Sequence, residues 1–149
     1  PKTGFKLPEV LTVEEIDALI SCIDLSKKEG QRNKAILETL YRLRENYTGI
    51  EISYFQSNSE GELIDKIQTV GFQVDDIILN AGAYTHTSIA LHDAIRSVLA
   101  PVIDVHISNV YGREEFRHKS IIASACKGVI CGFGMESYRL EVEATLSIN

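Results

Sequence analysis

Two histidines, two arginines and an asparagine fall at or just after short apolar runs in the second half of the sequence. Asn80 and His86 follow Ile77-Ile78-Leu79, and His106 lies at the end of Val102-Ile103-Asp104-Val105, with Arg113 and Arg117 close behind. An imidazole titrates near neutrality when unperturbed, so His106 could serve as a general acid. The backbone N–H groups of Ile107 and Ser108, with Arg117 nearby, could hold a carboxylate. Together these groups suit a small hydroxylated acid bound without cofactor. Other chemistries lack their signatures: there is no nucleophile elbow, no Gly-rich phosphate loop of recognised spacing and no His/carboxylate metal cluster. The plainer alternatives are a satisfied core histidine at position 106 and a solvated helix face in which Arg113 and Arg117 pair with Glu114 and Glu115.

The elements that must position these residues alternate between strands and helices. Ile50-Glu51-Ile52-Ser53-Tyr54-Phe55 predicts a strand, and Leu63, Ile64, Ile67 and Val70 predict a helix closed by Gly71. Ile77-Ile78-Leu79 predicts a short buried strand, and Ile89, Ala90, Ile95 and Val98 the helix after it, ended by Pro101. Residues 102–107 and 128–133 predict two further strands, and residues 135–146 a closing helix. Apolar strands alternating with amphipathic helices imply an α/β fold with a parallel sheet covered on both faces. In such sheets ligands bind outside the carboxyl ends of the strands, where the polar residues of this chain collect.

The first third reads differently. Thr12 and Glu15 form a capping box, and Val13, Ile16, Leu19, Ile20 and Ile23 follow at helical spacing. Ser26-Lys27-Lys28-Glu29-Gly30 interrupts that pattern, and residues 31–46 predict a second helix with Ile36, Leu37, Leu40 and Tyr41 on its apolar side. No strand is predicted there.

With 149 residues the chain has room for one α/β domain with a substantial core. Its 44% hydrophobic and 24% charged residues are ordinary for a globular protein. A net charge of −6 argues against a nucleic-acid scaffold and suits an enzyme of small metabolites. The absence of a membrane-length apolar run or a signal-peptide pattern predicts a cytoplasmic protein. Cys22, Cys126 and Cys131 are an odd number without a metal-ligand set, so buried free thiols are expected.

The residues around the candidate site carry a family resemblance. The stretches from Leu79 to Ser88, Val105 to Val110 and Arg113 to Arg117 resemble the signature blocks of type II dehydroquinases. Phe55-Gln56-Ser57-Asn58 and Gly128-Val129-Ile130-Cys131-Gly132-Phe133-Gly134 match in order and spacing, so the similarity covers about residues 42–146. It implies a flavodoxin-like fold, no metal or cofactor, and assembly as trimers and dodecamers. It further implies dehydration of 3-dehydroquinate to 3-dehydroshikimate through an enolate. On that resemblance His106 is the general acid that protonates the departing hydroxyl, and Asp104, standing where the family usually has Glu, orients it. The Ile107 and Ser108 backbone would bind the substrate carboxylate, Asn80, His86 and Arg117 would hold its hydroxyls, and Asp93 would reach a neighbouring subunit's site. Tyr111 stands where the family often has a histidine.

The family's opening strand, its Asn-Gly-Pro-Asn-Leu-Asn block and its mobile loop with an Arg and a proton-abstracting Tyr have no match in residues 1–49. Arg42 and Tyr47 have the right spacing, but only Thr48 and Gly49 separate Tyr47 from the next predicted strand, where the family has a whole helix. Residues 4–41 instead resemble the start of a Xer-type tyrosine recombinase catalytic domain, through residues 7–15 and 32–41, without any of its catalytic residues. The expected organisation is a helical segment over 1–41 and a dehydroquinase-like domain over 42–149 that lacks the family's first, central strand. Three functions are then open: a dehydratase that takes its Tyr and Arg from elsewhere, an inactive binding or structural subunit arising as a pseudoenzyme or fusion artefact, and a DNA-recombination fragment. The acidic charge and the missing recombinase set rank the last lowest.

Overall fold

The computed structural model describes Ser26 and residues 49–148. The helices expected over 12–24 and 31–46, the boundary at 41/42, the absent central strand and Cys22 lie outside the described residues. Within them the order is α1 (Glu60–Val70), β1 (Ile77–Leu79), α2 (Ile89–Arg96), β2 (Val102–His106), β3 (Gly128–Cys131) and α3 (Glu136–Ile148), with four short 3-10 turns between α1 and β3. The strands form a parallel sheet in the order β1-β2-β3. Leu79 lies opposite Asp104, and His106 opposite Cys131.

Local chemistry explains where the helices begin. The Ser59 side chain accepts from the Glu62 N–H at the start of α1, with Glu60 and Glu62 in the first turn. The buried Ser88 does the same for α2, accepting from Leu91 N–H at 2.8 Å. Leu63, Ile64 and Ile67 of α1 meet Leu91, Ala94 and Ile95 of α2, and both sets pack with Leu79 and Val102 of the sheet. All five residues of β2 are buried. Because successive strand side chains point to opposite faces, both faces of β2 are covered, as expected for a doubly covered parallel sheet.

Three sequence expectations need correction. Residues 50–55 form no strand: the apolar alternation is present, but no ladder partner falls among the described residues, and Ile52, Tyr54 and Phe55 are exposed. A strand needs a neighbour for its backbone groups, whatever its own pattern. Gly71 closes α1 as expected, with φ −65°. It is glycine because a Cβ there would lie 2.4 Å from Val98 Cβ and Cγ1. The strands expected over 102–107 and 128–133 stop at His106 and Cys131, because Gly132 (φ 94°) turns the chain and its N–H binds the His106 carbonyl at 3.2 Å. Finally, Cys126 and Cys131 are free but only half-buried.

Candidate active site

The carboxyl ends of β1 and β2, with the loops that follow, enclose a cavity of about 340 Å³. Asn80, Gly82, Ala83, His86, His106, Ile107, Ser108, Val110, Arg113 and Arg117 line it. Six of the eight residues expected at the site therefore converge: Asn80, His86, His106, Ile107, Ser108 and Arg117.

Asp104 stands behind this wall. Positions 104 and 106 share one face of β2, since side chains alternate along a strand. Asp104 is fully buried, and its Oδ1 lies 3.0 Å from His106 Nε2. The Thr85 hydroxyl donates to Asp104 Oδ1 and the Ser120 hydroxyl to Oδ2, each at 3.4 Å. A carboxylate oxygen accepts, so Nε2 of His106 carries the proton and Nδ1 is the nitrogen left for a ligand. The aspartate is thus long enough to reach the histidine in this fold. Its negative charge also acts on the half-buried Cys126, whose thiol is pushed up to about 12, first by burial and then by Asp104. That thiol is inert near neutral pH.

His86 completes an imidazole pair. Its ring stacks on His106 with centroids 6.3 Å apart and planes inclined by 17°. Its Nδ1 lies 2.9 Å from the Lys119 carbonyl, which can only accept, so Nδ1 carries the hydrogen and Nε2 remains for a ligand.

Glu114 accepts from Arg117 Nε at 2.8 Å and lies 3.4 Å from Arg113 Nε. The carboxyl of Glu114 is held below the usual value, first by its own backbone N–H and then, against some desolvation, by the two arginines. The pairing foreseen for a solvated face is met by Glu114 but not by Glu115, and both arginines still line the cavity. An arginine has five N–H donors, and Glu114 takes only Nε of Arg117. Among the described residues, the N–H groups of Ile107 and Ser108 donate to no backbone carbonyl outside the regular elements. They sit at the cavity wall, where a carboxylate could use them.

Asp93 is not brought into this cavity. It lies on α2 with its side chain 74% exposed and its Oδ1 3.1 Å from His92 Nδ1. Sequence reasoning missed several supporting residues. Thr85 was visible only as one of a polar stretch, Ser120 carried no signal, and Tyr138 read only as part of the closing helix. The Tyr138 hydroxyl accepts from Asn80 Nδ2 at 2.8 Å. Among the described residues no tyrosine lines the cavity.

Comparison with known proteins places this geometry. The family model described as "Dehydroquinase class II" matches residues 26–146, beginning ahead of the Arg42 boundary read from the motifs. The chain is similar to the 3-dehydroquinate dehydratase of Rhizobium johnstonii, 57% identical over 100 residues that cover 67% of this chain and 69% of that protein. The enzyme of the same name from Sinorhizobium medicae is 47% identical over 124 residues, covering 80% and 84%. Among solved structures, the type II dehydroquinase of Butyrivibrio crossotus superposes with a TM-score of 0.70 at 42% identity, covering 74% of this chain and 77% of that one. That of Propionibacterium acnes gives a TM-score of 0.71 at 30% identity over 77% and 83%. With a family model matching most of its length and relatives of this identity, the chain belongs to the class II dehydroquinases.

Proposed function

We propose that the cavity binds 3-dehydroquinate and that the chain acts on it as a 3-dehydroquinate dehydratase, a hydro-lyase of the shikimate pathway. The observation that carries this is His106 at the cavity wall, backed at 3.0 Å by a fully buried Asp104 and stacked on His86. In this reading His106 protonates the departing hydroxyl and Asp104 keeps its ring in place. The Ile107 and Ser108 N–H groups take the carboxylate, while Asn80, His86 and Arg117 hold the hydroxyls. Asp93, exposed on α2, serves the site of a neighbouring copy in a homo-oligomer. No metal or cofactor enters, and the protein works in the cytoplasm on a small molecule rather than on nucleic acid.

We infer that residues 1–49 do not supply the proton-abstracting group. Residues 1–49 lack the family's Tyr/Arg loop, and no tyrosine among the described residues lines the cavity. A positioned general base contributes roughly a hundred- to ten-thousand-fold, so the chain carries the acid half of the site and turns over slower than its relatives by about that factor. Turnover, followed as formation of the conjugated enone product, tests both halves. Slow conversion that His106→Asn lowers further is expected. A rate equal to that of the relatives would overturn the missing base, and an unchanged rate in His106→Asn would overturn the assigned acid.

A further inference from the structure

We propose that Tyr138 is a positioning residue for Asn80, its phenol holding the Asn80 carboxamide in the orientation that the cavity presents to a ligand. The inference rests on the reading of the cavity as the 3-dehydroquinate site.

The orientation follows from donor and acceptor chemistry. The Gly82 backbone N–H can only donate, so the end of the Asn80 carboxamide lying 3.2 Å from it is the carbonyl oxygen. The other end, Nδ2, then faces the Tyr138 hydroxyl at 2.8 Å, and since Nδ2 can only donate, the phenol oxygen accepts. One N–H of Asn80 and part of its carbonyl oxygen remain for a ligand. With the phenol removed, only the Gly82 contact resists rotation of the carboxamide, and a rotated Asn80 presents the wrong group.

Tyr138 suits this task. It is half-buried, and its hydroxyl is raised above the usual value by burial, against the lowering effect of the Asn80 hydrogen bond. It stays a neutral phenol near physiological pH, so its bond to Asn80 does not come and go with titration. The same helical turn grips the second strand end. Ser137 is fully buried and donates to the His106 carbonyl at 3.3 Å. The Gly134 N–H, just ahead of α3, binds the Ile107 carbonyl at 2.9 Å. Adjacent residues of α3 thus fix the chain after β1 and the end of β2, which sets Asn80 and His106 in register with each other.

The test uses the full chain, with 3-dehydroquinate as titrant. Tyr138→Phe is expected to weaken binding about three- to tenfold, the effect of one neutral hydrogen bond. In an Asn80→Ala background the same change is expected to do nothing, because the group it acts through is gone. In the ligand-free protein, the Asn80 side-chain amide resonances, identified by their loss in Asn80→Ala, should shift and exchange faster in Tyr138→Phe. An equal effect of Tyr138→Phe in both backgrounds, or unshifted Asn80 resonances, would overturn the inference. Failure of the wild type to bind would overturn the reading of the cavity, and the ligand-free resonances would then decide the role of Tyr138.

Discussion

Replacing Glu141 with glutamine should stabilise the protein towards about pH 8 and flatten its loss of stability between about pH 5.5 and 8. Glu141 lies on α3 with only 1% of its surface exposed, and the Thr145 hydroxyl donates to its Oε1 at 3.0 Å. Its carboxyl is pushed up to about 9, chiefly by burial and then by the adjoining Asp76. The folded state therefore keeps a proton that the unfolded chain releases near the ordinary value of 4.5. Stability from this group is complete below that value and declines as pH rises towards about 9, by at most about 1.4 kcal/mol per unit. Between about pH 5.5 and 8 this comes to roughly 3 kcal/mol at most, and less where Asp76 shares the proton. At about 3 °C per kcal/mol for a chain of this size, the melting temperature should fall by up to about 10 °C. A glutamine keeps the shape and a donor towards Asp76, and it cannot ionise. Thermal melts of both proteins across this range check the argument. A Glu141→Gln variant less stable than the wild type at pH 8, or two parallel pH profiles, would refute it.

Other perturbations separate chemistry from binding and packing. Asp104→Asn retains an acceptor for His106 but replaces the carboxylate that holds its ring with an amide that can turn either end to it, so kcat should fall about ten- to a hundredfold. The dissociation constant for 3-dehydroquinate should change less than about threefold, since Asp104 does not line the cavity. Arg117→Ala should weaken binding by about ten- to a hundredfold, the effect of losing a charge-assisted hydrogen bond, as read by titration calorimetry. Gly71→Ala forces a Cβ against Val98 and should lower stability by about 1–3 kcal/mol, measured by urea unfolding.

The parts of the site that were legible in the sequence are those whose signals are local. Asn80, His86, His106 and Arg117 stand out because polar residues punctuate the ends of apolar runs, and a parallel sheet gathers such ends on one edge. The strands that supply β1, β2 and β3 were legible for the same reason. What escaped depends on contacts between distant parts of the chain. The alternation in residues 50–55 predicts a strand, but a ladder is a property of two segments. Gly71 reads correctly as the end of a helix, but only the approach of Val98 explains why a side chain is excluded there. Ser120 and Tyr138 acquire their roles by meeting Asp104 and Asn80, and no spacing in the sequence announces either meeting. The recombinase-like reading falls on residues outside those described, although the family match reaches back to Ser26.

The most direct test of the account is a calorimetric titration of 3-dehydroquinate into the purified chain. The account predicts saturable binding at one site per chain, weakened at least about tenfold by Arg117→Ala. A folded wild-type protein that shows no binding at millimolar ligand, or binding that Arg117→Ala leaves unchanged, would contradict it.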